Sequence, residues 1–278
     1  MSETASKSIN IFICLIGLIL LCSGASLALA GPTGEEVMLK LDQRDEGQDQ
    51  VSRSLQILIN RRGQERKRSS IYIKKNYKGQ DGFDTKTVIF ILSPPQVKGT
   101  AFMNWSYLQD DKDDDQWLYL PALRKVRRLS ASEKEDSFMG TDFTYDDMGD
   151  RKVEEDLHKL LRSETLDGKE CYVVESVPKK KGYMYSKKET WVVRDEWIPL
   201  RVEYYDRKKK HLKTLTYGGW KELKGVWVVG RMEMANHQTK HRTVLTMSDT
   251  EVNAGVDENT FRERTLKKGL RKSYFKKR

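Results

Sequence analysis

The segment "GTAFMNWSYLQDDKDDDQWLYLP" (Gly99–Pro121) reads as two strands joined by an acidic tip. In the first arm Ala101, Met103, Trp105 and Tyr107 share one face. Phe102 and Leu108 lie on the other, with Asn104 and Ser106 between them. In the second arm Trp117 and Tyr119 oppose Leu118 and Leu120. Side chains that alternate with period two mark a strand, whereas a helix repeats every 3.6 residues. Just upstream, "TVIFIL" (87–92) is apolar on both faces, so both sides of the sheet are expected to be covered there.

The same texture extends in both directions. Strands are expected at 51–59, 66–77, 84–93, 99–109, 115–120, 124–129, 170–177, 184–194, 197–206, 211–222, 226–237 and 241–250. Short polar tips such as "NRRG" (60–63), "KKKG" (179–182) and "ELKG" (222–225) look like hairpin ends. This pattern predicts a mainly β protein with an antiparallel sheet, strongly curved or closed. An amphipathic helix is expected over Glu35–Glu46, with Val37, Met38 and Leu41 on one side. The strand pattern lapses between Ser132 and Ser163. Short helical pieces are expected there, near Tyr145–Met148 and at Val153–Leu161. No linker or repeat divides the chain, so residues 31–278 read as a single domain.

Residues 1–30 read as a cleaved export signal. Lys7 precedes an apolar run over Ile9–Leu21, and Ala28-Leu29-Ala30 offers small residues at the two cleavage-reading positions. The run is shorter than the ~20 residues of a membrane-spanning helix. Cleavage leaves Cys171 as the sole cysteine, so the mature chain has no intramolecular disulfide and depends on its core. The expected location is therefore outside the cytoplasm.

Chemistry is hard to find. His237 and His241 have metal-ligand spacing only on a helix, and here they span a predicted turn. "DDKDDD" (110–115) lacks the glycine and distal glutamate of a calcium loop. No glycine-rich phosphate loop and no nucleophile elbow is present. The expectation is a protein without catalytic residues, metal or cofactor. The formal net charge is +10, and residues 262–278 carry nine basic side chains and one acid. Such a tail suits an anionic membrane surface or an acidic protein, and an exported protein has little access to nucleic acid. Leu266, Leu270, Tyr274 and Phe275 suggest that part of the tail packs on the domain.

One mid-chain block carries a resemblance. "DQWLYLPALRKVRRLSASEKEDSFMGTDFTYDDM" (115–148), with "GTAFMNW" (99–105) and "EEVMLKLDQRDEG" near the start, resembles the LolA-like outer-membrane lipoprotein-sorting proteins. The resemblance implies a half-open antiparallel β-barrel with a helical lid over an apolar cavity. It also implies a periplasmic carrier of lipoprotein acyl chains or other lipid. The alternative is a non-enzymatic adaptor of an inner-membrane exporter of the resistance–nodulation–division (RND) type. On this reading Phe90, Phe102, Trp105, Trp117 and Tyr119 line the cavity, and Phe138, Met139, Phe143 and Met148 face it from a flap. Asp142, Asp146 and Asp147 would cap short helices or latch the flap to Arg124, Arg127 and Arg128. Gly140 and Gly149 would let the backbone bend.

Overall fold

The computed structural model describes residues 31–109 and 112–270. The export-signal reading, part of the acidic tip, and Tyr274 and Phe275 of the tail lie outside the described residues. Period-two alternation is realised as β1 (Asp49–Ile59), β2 (Glu65–Asn76), β3 (Phe83–Ser93), β4 (Ala101–Tyr107), β5 (Asp115–Leu120) and β6 (Lys125–Arg128) in the first half. The second half holds β7 (Asp156–Leu166), β8 (Lys169–Pro178), β9 (Tyr185–Val193), β10 (Pro199–Asp206) and β11 (His211–Gly218). It continues with β12 (Lys221–Leu223), β13 (Val226–Val228), β14 (Arg231–Asn236) and β15 (His241–Val252).

Thirteen of these strands form one antiparallel sheet in the order β6-β5-β4-β3-β2-β1-β15-β14-β11-β10-β9-β8-β7, and β12–β13 form a separate ribbon. The chain runs outward by hairpins from β1 to one edge, β6. It then crosses to the opposite edge, β7, and returns by hairpins until β15 pairs with β1. The register slips at several bulges, including Leu160/Arg162, Phe83/Lys86 and Tyr204/Tyr205. Each bulge bends and further twists its strand. The result is a half-open sheet whose edges do not pair. The two ends are close enough that Phe102 and Leu118 share one apolar cluster with Tyr185, Tyr204 and Leu215.

The connection between the edges, 129–155, therefore has to pass over the open side. It does so with short 3-10 turns, including Phe138–Gly140, Asp146–Met148 and Val153–Glu155. The helix expected at Val153–Leu161 is thus a single turn followed by strand β7. Leu157, Leu160 and Leu161 fit either period, and pairing with β8 decides for a strand. The single strands expected at 211–222 and 226–237 are each broken into two. The chains pass so closely there that a Cβ on Gly230 would lie 2.5 Å from the Gly219 carbonyl oxygen.

Helix α1 (Gly34–Asp42) starts at a capping box. Thr33 Oγ1 accepts from the Glu36 amide at 3.1 Å, and the Glu36 carboxylate accepts from the Thr33 amide at 2.7 Å. Val37 is fully buried against Val174 and Val192. Gly34 lets the helix touch β7, because a Cβ there would lie 2.6 Å from the Leu160 amide nitrogen. A second helix, α2 (Glu263–Lys268), covers the outer face of the sheet. Leu266 and Phe261 pack there with Val88, Phe90, Met103 and Trp117, and Leu270 joins the edge of that cluster. The doubly apolar stretch of β3 is accordingly buried on both sides, with Ile89 and Ile91 inside and Val88 and Phe90 outside.

Candidate functional site

The inner face of the sheet lines a half-open cavity of about 490 Å³, within the roughly 300–1,000 Å³ of small-molecule sites. Its apolar wall comes from several strands: Tyr72 and Ile89 on one side, and Val202, Tyr204, Leu215 and Tyr217 on the other. Met38 and Leu41 of α1 and Trp227 of the β12–β13 ribbon complete it. The flap closes it with Phe138, Phe143 and Met148.

The flap is built to stay folded. Its Ser137 and Thr144 form an isolated β-bridge, and the Phe138 amide donates to the Phe143 carbonyl at 2.7 Å. Between them Met139 (φ 50°) and Gly140 (φ 77°) take left-handed conformations that let the chain reverse. Phe138 then meets Phe102 and Tyr145 edge-on, at centroid distances of 5.1 and 5.4 Å. Gly149, expected as a bend, has an extended φ of −89°.

The three flap aspartates are engaged, but not by the arginines expected of them. Asp147 pairs with Lys213 at 2.5 Å, and also accepts from the Thr144 amide at 2.7 Å and the Tyr185 hydroxyl at 2.9 Å. Asp142 accepts from Thr243 Oγ1 and bonds His241 Nδ1, each at 2.7 Å. Asp146 accepts from the Tyr183 hydroxyl. Arg127 and Arg128 pair instead with Glu133 and Asp115, and Arg124 is exposed at a turn with φ 51°. The arginines belong to edge strand β6 or the turn before it and lie largely in solvent, whereas the flap lies over the interior. Burial pushes the Asp147 carboxyl up, but the charge and hydrogen bond of Lys213 outweigh it and hold it below the ordinary carboxylate range. Two further ties reach the first half of the sheet: Arg68 Nη1 to the Met139 carbonyl at 2.7 Å, and Gln116 Nε2 to the Tyr145 carbonyl at 2.9 Å.

The expected aromatic lining is divided between the two faces of the sheet. Phe102 is inside, supporting Phe138 from beneath. Phe90, Trp105, Trp117 and Tyr119 are on the outer face with α2, so they do not line the cavity. The cause is strand parity. Phe102 pairs with Leu118 and Ile89, while Ala101 pairs with Tyr119 and Phe90. Met139 packs at the margin of the inner cluster.

The residues do not announce the cavity's polar wall in any motif. Glu46 receives both Lys74, at 2.7 Å, and Arg44. Burial raises its carboxyl, but these two cations bring it to about 2. Arg151 pairs with Asp156 at 2.5 Å. Nearby, burial and the charges of Asp84 and Asp150 raise Asp42 to about 6. Among the described residues, no cluster of His, Cys, Asp or Glu has the arrangement to hold a metal ion. His237 packs against His211 with tilted rings 4.3 Å apart and bonds Thr214 Oγ1 at 2.8 Å. Period two would have revealed two of these charges. Lys74 is in phase with Tyr72 on β2, and Lys213 with Leu215 and Tyr217 on β11.

A protein-family model described as "Uncharacterized protein" matches residues 83–268. Among solved structures, the chain is similar to a Vibrio parahaemolyticus domain described as an outer membrane lipoprotein-sorting protein. Identity is 35% over 84% of this chain and 98% of that one, with a TM-score of 0.78. It is similar also to a DUF1329 family protein from Desulfovibrio piger, at 34% identity over 84% and 97% of the two chains, with a TM-score of 0.79. A LolA superfamily protein from Nitrosomonas europaea shares the fold at 19% identity, over 84% and 99% of the chains, with a TM-score of 0.65. No curated protein matches the chain.

Proposed function

This chain belongs to the LolA-like outer-membrane lipoprotein-sorting family, and from that premise we propose that it is a periplasmic carrier. It takes the acyl chains of lipoproteins, or of another lipid, into the cavity and shields them from water between membranes. Residues 1–30 serve as the export signal, and residues 31–278 form the carrier domain with its basic tail. The observation that carries this reading is the half-open cavity, walled by Tyr, Phe, Met, Leu and Val side chains and partly covered by the flap. Each CH₂ removed from water contributes about 0.8 kcal/mol, so one acyl chain supplies several kcal/mol without any directed bond. A carrier therefore needs volume and apolar lining more than a reactive centre, in keeping with a non-enzymatic role.

Native mass spectrometry of the gently purified protein tests the proposal. Co-purifying lipid, released when the flap is unfolded by organic solvent, is the expected result. A protein that stays empty after incubation with lipid vesicles would overturn it. A second reading, an adaptor for an inner-membrane RND-type exporter, draws on the cationic rim of Arg124, Lys125 and Arg128, all exposed. Capture of such a transporter by the empty protein, with no lipid bound, would favour it. The basic tail would add attraction to anionic membrane surfaces.

A further inference from the structure

Two lysines flank one tyrosine on the cavity face. Strands β9, β10 and β11 lie side by side, and their register sets Lys188 opposite Tyr204 and Tyr204 opposite Lys213. The row extends through Ser176 on β8 to His158 on β7. Four of its members, His158, Ser176, Lys188 and Tyr204, line the cavity. Two of the charged or polar members are already satisfied. His158 bonds Ser176 Oγ and the Val153 carbonyl, both at 2.8 Å. Lys213 is neutralised by Asp147.

Lys188 has neither an ion pair nor a hydrogen bond among the described residues. Its ammonium lies 5.5 Å from the ring centroids of Tyr185 and Tyr204 and 6.0 Å from that of Tyr183. Aromatic faces at this range hold a cation in place without supplying the acceptor oxygens that its three N–H groups require. The carboxylates in its neighbourhood are committed elsewhere: Asp146 to Tyr183, Asp147 to Lys213, and Asp156 to Arg151. The other lining cations are occupied as well. Glu46 holds Arg44 and Lys74, and Lys152 donates to the Gln109 carbonyl. Burial, and after it the charge of Arg151, lower the affinity of Lys188 for its proton, as expected of a cation without its own counter-charge. A purely hydrocarbon occupant would leave the Lys188 ammonium unanswered.

We infer that the cavity binds an amphiphile by both ends: the chain against the apolar wall, and an anionic oxygen head, carboxylate or phosphate, on Lys188. This inference rests on the carrier reading and adds to it a head-group preference. Fluorescence titration of the full chain at neutral pH tests it with three probes: a polyene fatty acid, the methyl ester of the same acid, and an alkyl phosphate that displaces them. The expected result is that the free acid binds about tenfold more tightly than the ester, the size of one charge-assisted hydrogen bond. In Lys188→Met the ratio of acid to ester affinity should fall to about one, while Lys188→Arg keeps the preference. The alkyl phosphate should compete in the wild type and lose its advantage in Lys188→Met. If competition follows the acid alone, the head is a carboxylate; if the phosphate is stronger, it is a phosphate. Equal affinity for acid and ester in the wild type, or a preference that survives in Lys188→Met, overturns the head-group inference and leaves the carrier reading standing. If none of the probes binds, both fall.

Discussion

Lys213 Nζ lies 2.5 Å from Asp147 Oδ2, and their side chains are 2% and 4% exposed. The pair ties the crossover segment to the floor of the sheet, with the lysine lying over the rings of Tyr185 and Tyr204 at 5.0 and 5.1 Å. Removing one partner strands the other charge in the interior, so Lys213→Met should cost about 3–5 kcal/mol in urea unfolding. Replacing both, as Lys213→Met with Asp147→Leu, should recover much of that loss. The sign of the pH dependence follows from the depressed Asp147 carboxyl. Its stabilisation is whole above the ordinary aspartate value of 3.8 and is lost as pH falls through the lower folded value. Protease nicking within 137–150 should rise over that acid range in the wild type, and the double variant should not show the rise.

Asp114 makes the opposite contribution. Burial, and then the charge of Asp150, raise its carboxyl to about 6, although Asn104 Nδ2 and the Asp150 amide donate to it at 3.0 and 3.1 Å. A raised acid binds more protons folded than unfolded between about 4 and 6, so stability falls as pH rises through that window. Asp114→Asn keeps an acceptor oxygen and removes the charge. It should be more stable than the wild type at neutral pH and have a flatter stability profile across the window, measured by thermal melting.

Much of the fold was legible because alternation is local. It predicts the strands around Phe102 and Trp117, the doubly covered β3 and the turn that separates His237 from His241. Which face becomes the interior is not local. Phe90, Trp105, Trp117 and Tyr119 form the more aromatic face, yet that face is outside, because α2 and Phe261 cover it from the far end of the chain. The first half of β7, up to Leu161, reads as helix for a similar reason, since its partner β8 supplies the decision. The flap was legible in composition, through Phe138, Phe143 and Met148. Its latch was not, because neighbours in sequence suggested Arg124–Arg128 while the register of β11 supplied Lys213. An inward lysine in phase with Leu215 and Tyr217 was the available signal.

The flap should be separable from the sheet. Phe138 and Phe143 are 2% and 5% exposed and belong to the inner cluster. Aspartate at both positions would place unpaired carboxylates there, at a cost of several kcal/mol that only detachment relieves. We expect Phe138→Asp with Phe143→Asp to keep the β circular-dichroism signal, to be cut rapidly between 137 and 150, and to lose uptake of a fluorescent fatty acid at least tenfold. Undiminished uptake by that folded variant would remove the flap from the binding site.

The two faces of the sheet predict different consequences for similar lesions. Leu266 is 1% exposed and packs on the outer face with Phe261, Val88, Phe90, Met103 and Trp117. Truncating a buried leucine loses its transfer energy and leaves a void, so Leu266→Ala should cost about 2–5 kcal/mol. Leu215 is comparably buried, 5% exposed, but lines the cavity, and Leu215→Ala enlarges a space that already exists. It should cost less than Leu266→Ala, because the void is shared with the cavity and an occupant fills part of it. Fatty-acid affinity should stay within about twofold for Leu266→Ala and change more for Leu215→Ala, since only the second removes apolar surface that an acyl chain would touch. Paired urea unfolding and probe titration decide the matter. Loss of uptake in a folded Leu266→Ala variant would show that the outer face takes part in binding after all.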